Sequence, residues 1–185
     1  RKIESLGGKA AICTRPVNEA ESIVEDCLQR FGRLDVIVHN AGVVHDRSFG
    51  KLTFEDWQQV YQVHLEAAYK LSHAVWPTFK QQNYGRLLFI TSGAGIYGNF
   101  GQANYGAAKL GLVGLSQTLA IEGMKNNVHC NCVAPIAATQ MSEHFLNDEM
   151  KQMFHVDDIA PLVAWLCHRQ CNETGSLFEA AGGWY

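Results

Sequence analysis

No uninterrupted apolar run in these 185 residues approaches the roughly 18 needed for a membrane-spanning helix. Nor does the chain open with the basic-then-apolar pattern of a signal peptide. Positive charge is not in surplus. The 15 Lys and Arg stand against 18 Asp and Glu, a formal charge of −3, so no basic surface is expected for nucleic acid. The six cysteines lack the paired Cys-x-x-Cys spacing of a zinc site. Cys130 and Cys132 alternate along an apolar strand pattern, and Cys167 and Cys171 flank His168 on a helical segment. Both groupings are expected to be reduced thiols packing as small hydrophobes in an intracellular compartment, with no metal. What remains is a globular composition, 47% apolar and 18% charged, expected to form a single domain over residues 1–185.

The periodicity of the chain alternates between two and 3.6. Residues 1–8 read as a helix end stopped by Gly7-Gly8, followed by a short strand, Lys9–Cys13, and a helix from Val17 to Phe31. Leu34–His39 is apolar without polar alternation after Asp35, as expected of a parallel strand covered on both faces. Thr53 caps a long helix whose stripe runs through Trp57, Val60, Tyr61, His64, Leu65, Ala68, Leu71 and Val75 to about Gln82. Leu87–Ile90 and Val128–Val133 read as further buried strands, Asp157–Cys167 as a helix, and Leu177-Phe178 as the last strand. Such alternation predicts an α/β fold, a Rossmann-like doubly wound parallel sheet.

The chemistry concentrates between Ser92 and Lys109. Tyr105 and Lys109 are four apart, so on a helix they share a face. A nearby ammonium favours a phenolate and is expected to lower the tyrosine pKa, letting the pair exchange a proton with a substrate hydroxyl. Ser92, 13 residues upstream at a strand end, can hold the same oxygen. Two groups on one oxygen suit alcohol and ketone interconversion. Gly93-Ala94-Gly95-Ile96-Tyr97-Gly98 matches G-x-G-x-x-G, but no helix begins at its last glycine. These glycines are expected to give a substrate loop flexibility. After Tyr105, a helix apolar almost all round, from Ala107 through Leu110, Leu112, Val113, Leu115 and Leu119 to Ile121, is expected to be covered on more than one side. Residues 142–154 with Met141, Phe145, Leu146, Met150, Met153 and Phe154 form an apolar set suited either to a lid over an acyl chain or to ordinary surface-helix packing.

Ser92, Tyr105 and Lys109 have the spacing of the catalytic residues of the short-chain dehydrogenase/reductase family, which the chain resembles from about Gly7 to Trp184. Gly95-Ile96-Tyr97-Gly98-Asn99-Phe100-Gly101-Gln102-Ala103-Asn104-Tyr105, Asp46-Arg47-Ser48-Phe49, Gln82-Asn83-Tyr84-Gly85-Arg86 and Leu166-Cys167-His168 resemble its (3R)-hydroxyacyl-CoA dehydrogenase members in particular. The resemblance implies catalytic Ser92, Tyr105 and Lys109, with His64 at the place where the family usually has a water-binding asparagine. It implies an NAD site, NADP not being excluded, made of Val17, Asn40, Ala41, Gly42, Tyr105, Lys109, Pro135, Ala137 and Thr139. It also implies an acyl-CoA substrate, a homodimer and a peroxisomal location, with a cytoplasmic one as the alternative.

Several positions depart from the family pattern: His39 replaces the first asparagine of Asn-Asn-Ala-Gly, Arg15 stands near an aspartate that contacts adenine, and Ile136 follows Pro135 in place of glycine. The family's Thr-Gly-x-x-x-Gly-x-Gly phosphate loop is not in these residues, so the sheet is expected to lack its amino-terminal βαβ portion and the 185 residues alone to have little activity. Two rivals stay open. One is an NADPH-dependent 3-ketoacyl reductase or another alcohol dehydrogenase with the same residues. The other is a non-catalytic dimerisation module that keeps the fold.

Overall fold

Four strands lie side by side in the order they occur along the chain: β1 (Val36–His39), β2 (Gly85–Ile90), β3 (Val128–Ile136) and β4 (Leu177–Ala181), every neighbouring pair parallel. The structure, a computed structural model, describes residues 2–139, 141–142 and 146–185. Parallel neighbours need crossover connections, and helices supply them. The helices are α1 (Lys2–Ser5), α2 (Ala20–Phe31), α3 (Phe54–Tyr61), α4 (Ala67–Gln82), α5 (Gly93–Tyr97), α6 (Ala103–Gly123), α7 (Asp148–Met153) and α8 (Ala160–Leu166).

Because side chains alternate along a strand, the continuous apolar runs feed two cores. Leu87 and Phe89 of β2 and Val128, Cys130 and Cys132 of β3 pack against Val24 of α2, Val75 and Phe79 of α4, and Leu112 and Ala120 of α6. On the opposite face Leu88, Val133 and Ala180 meet Leu162 and Leu166 of α8 and Cys171. Helices therefore cover both faces, giving the Rossmann-like architecture expected. Burial pushes the Cys130 and Cys132 thiols up to about 12 and about 11, so both stay protonated and behave as apolar side chains. Arg86, buried at the start of β2, has its guanidinium against the carbonyls of Gly85, Asn127 and Cys171 and over the Tyr84 ring, tying the turn before β3 to the end of the α8 connection.

Several expectations are corrected. Lys9–Cys13 is not a strand; it is exposed and pairs with none of the four strands. Helix α2 starts at Ala20 rather than Val17, after Pro16 and a turn. The long helix from Thr53 is interrupted by a π turn at Gln62–Glu66, which carries His64. The glycine-rich stretch is not a flexible loop, because Ser92 accepts from the Ala94 amide and caps α5. A β-carbon on Gly95 would lie 2.9 Å from the Leu110 nitrogen, so that glycine serves close approach between α5 and α6. The segment read as one helix from Asp157 divides into a 3-10 turn, Val156–Asp158, and α8. Among the described residues no helix is long and apolar enough to cross a membrane.

Candidate active site

The carboxyl ends of β1, β2 and β3 open onto one cavity of about 410 Å³. This is where open α/β sheets bind ligands. Asn40 and Gly42 follow β1, Ser92 follows β2, and Pro135, Ala137 and Thr139 come from the end of β3 and the loop beyond it; all line the cavity together with His64, Tyr105 and Lys109. Val17 and Ala41 instead line a smaller cavity of about 80 Å³, which shares Asn40, His64 and Lys109 with the first. Residues far apart in sequence thus border one opening.

Helix α6 supplies the tyrosine and lysine from one face. Lys109 is 4% exposed, donates to the Ile90 carbonyl at 2.6 Å, and keeps two further ammonium hydrogens for other acceptors. Its Nζ lies 5.4 Å from the centre of the Tyr105 ring. Burial lowers the Lys109 pKa to about 8. The expectation of a lowered tyrosine pKa is not met in this geometry. Burial raises the Tyr105 pKa, the Ser92 hydroxyl on the same cavity works against that rise, and the charge of Asp46 adds to it. Lysine is committed to a backbone carbonyl beside the ring rather than to the phenol oxygen.

His64 is 3% exposed, and burial with the nearby Lys109 charge lowers its pKa to about 4. It meets Tyr105 edge-on, with ring centres 5.2 Å apart at 90°. Thr139 is held through Ser142, whose hydroxyl accepts from the Thr139 amide at 2.8 Å. Val44, Ile136, Met141 and Leu146 give the cavity an apolar wall. Of the apolar set on residues 142–154, Phe145 lies outside the described residues, while Met150, Met153 and Phe154 do not line the cavity. Phe154 instead accepts from the Ala138 amide, fastening that segment to the loop after β3.

A polar frame that sequence reasoning missed holds the start of α6. Asn104, 2% exposed, donates to the carbonyls of His45 and Asp56 and accepts from the Tyr105 amide. Asp56 accepts from Arg47 at 2.7 Å and from the Thr53 hydroxyl at 2.8 Å. Gln102 donates to Asp46 and accepts from Asn99, both at 3.0 Å. The only signal in the sequence is the crowding of amides just before Tyr105.

The donor set fits a nicotinamide cofactor: free ammonium hydrogens on Lys109, Asn40 and Gly42 after β1, and the Thr139 hydroxyl all border one opening. Among the described residues no group of three or more His, Cys, Asp or Glu side chains is placed to hold a metal ion.

Residues 2–150 match the family model for short chain dehydrogenase, and the chain belongs to this family of oxidoreductases. The chain is 49% identical over 183 residues to peroxisomal multifunctional enzyme type 2 of Mus musculus, a match covering 99% of this chain and 25% of that protein. It is 47% identical to peroxisomal multifunctional enzyme A of Dictyostelium discoideum, covering 42% of it. The solved structure of full-length peroxisomal multifunctional enzyme type 2 from Drosophila melanogaster superposes with a TM-score of 0.85 at 41% identity, over 99% of this chain and 31% of that one. The chain thus spans between a quarter and under half of these relatives.

Proposed function

We propose that the chain is the dehydrogenase part of an enzyme that oxidises a (3R)-3-hydroxyacyl-CoA to the 3-ketoacyl-CoA with NAD, in peroxisomal β-oxidation. The observation that carries this reading is the convergence of Ser92, Tyr105 and Lys109 on one cavity that Val44, Ile136, Met141 and Leu146 also line. The relatives' names support the compartment.

A nicotinamide held in this cavity would supply the hydride acceptor. Lys109 would hold the ribose hydroxyls with its two remaining donors, and Thr139 the carboxamide. Ser92 would hold the substrate C3 oxygen, and Tyr105 would take its proton. Tyr105 is a poor base while burial dominates, and positive charge from Lys109 and from the oxidised cofactor would favour the phenolate. Val44, Ile136, Met141 and Leu146 would receive the acyl chain. His64 would support the site through a water or, as developed below, through its contacts. We further propose that this chain works with additional residues that supply a phosphate-binding turn and pair with β1, and that it self-associates through α4 and α6, whose Tyr69, Leu110 and Ile121 are exposed.

The test is calorimetry with NAD and NADP on the protein that carries this chain, followed by turnover of a (3R)-3-hydroxyacyl-CoA. The expected outcome is NAD binding with turnover that falls by roughly 10²–10⁴-fold in Tyr105→Phe at unchanged thermal stability. A folded protein that binds neither cofactor would overturn the reading.

A further inference from the structure

The His64 imidazole holds more of the cleft together than binding a water requires. It sits on the π turn between α3 and α4, and such turns gather at functional sites. One ring nitrogen, Nε2, lies 2.7 Å from the Val43 carbonyl oxygen and 3.1 Å from the Val43 amide nitrogen. In one tautomer Nε2 accepts from the Val43 amide and in the other Nε2–H donates to the Val43 carbonyl, so in either form the ring is tied to the backbone of this residue. The other ring nitrogen, Nδ1, is buried and without a hydrogen-bond partner. Burial, with the Lys109 charge nearby, keeps the ring neutral.

The same ring limits what can stand opposite it. A β-carbon on Gly42 would come within 2.5 Å of His64 Cε1. Gly42 is not in the left-handed region, so its lack of a side chain answers to space rather than to backbone conformation. Gly42 belongs to the strap Asn40–Val44, which places Asn40 and Gly42 on one part of the cavity and Val44 on its apolar wall.

We infer that His64 is a positioning residue that sets the height of the Asn40–Val44 strap, and that Gly42 is glycine because the His64 ring occupies the room a side chain would need. One ring then couples the cofactor side of the cleft to the acyl side, while its edge steadies Tyr105. The catalytic consequence rests on the dehydrogenase reading, and the geometric coupling does not.

The test is a double-mutant cycle on the full-length protein, with Gly42→Ala, His64→Ala and both together, read by denaturant unfolding and by nicotinamide-cofactor affinity. Gly42→Ala alone should weaken cofactor binding by roughly tenfold and lower stability, and much of both losses should vanish when His64 is also alanine. Additive losses would overturn the inference. Should Gly42→Ala fail to fold, nitrogen-15 NMR of the unmutated protein still decides. A neutral imidazole from pH 8 down to pH 5 is the expected result, and a ring protonated at pH 6 overturns it. In kinetics, His64→Asn should raise KM for cofactor and acyl substrate together, whereas a fall in kcat with both KM values unchanged would contradict strap positioning. If no hydroxyacyl substrate turns over in the unmutated protein, the enzymatic reading fails while the cycle and the NMR still judge His64.

Discussion

The middle of the sheet and its β1 side differ sharply, although both are built from apolar strands. Leu87, Leu88 and Phe89 of β2 are each at most 1% exposed, because α4 and α6 cover one face and α8 the other. Val38 of β1 is 40% exposed, and none of the described residues pairs with its outer edge. An apolar run therefore reports that a strand prefers burial on both faces, not that every covering element lies within the same stretch of chain. The residues of the candidate site fall at the junction: Ser92 and Lys109 belong to the covered middle, while Asn40 and Gly42 ride on the more open side.

The comparison can be sharpened by truncating one residue on each side. Phe89→Ala removes a fully buried ring and should cost about 3–5 kcal/mol in denaturant unfolding. A loss under about 1 kcal/mol would mean that the middle is less tightly built than its burial indicates. A smaller effect comes from the buried cation. Folding lowers the Lys109 pKa from the ordinary 10.5 to about 8, so between those values the unfolded chain binds more protons and stability rises with pH. The gain should be on the order of 3 kcal/mol across that window, and Lys109→Met should abolish it and be more stable than the unmutated protein below pH 8. Equal pH slopes in the two proteins would break the link between the buried middle and its charge. Smallest is Val38→Ala, expected to cost under about 1 kcal/mol on the 185-residue chain and more on a longer form in which the edge is paired. An equally large loss in both forms would erase the contrast between the two regions.

Much of this organisation was legible in the sequence because it depends on local spacing. Tyr105 and Lys109 share a helix face by virtue of their four-residue separation, and Ser92 stands at a strand end because the run before it is apolar and stops there. Strands β2 and β3 were read within a few residues, and β3 runs on to Ile136 because Pro135 sits at its end, beside β4, where a missing amide costs little. Lys9–Cys13 was misread because composition registers strand preference but not whether a pairing partner is present. Helix α5 was missed because three glycines suppressed the helical signal, whereas the Ser92 cap and the packing of Gly95 on α6 decide its shape. The direction of the Tyr105 pKa could not be read either: an ammonium four residues away says nothing about the desolvation of the phenol or about which carbonyl has claimed the lysine.

The π turn at Gln62–Glu66 also sets a register. Each residue of an α-helix advances the side-chain direction by about 100°, so the wider turn is equivalent to one additional residue inserted between α3 and α4. Deleting a single residue there would let the helix run straight, but it would rotate one flank relative to the other. Either His64 would swing away from Tyr105, or Val75 and Phe79 would leave the face they bury against the sheet. The extra residue lets one continuous rod satisfy two incompatible phases, that of the core and that of the cleft.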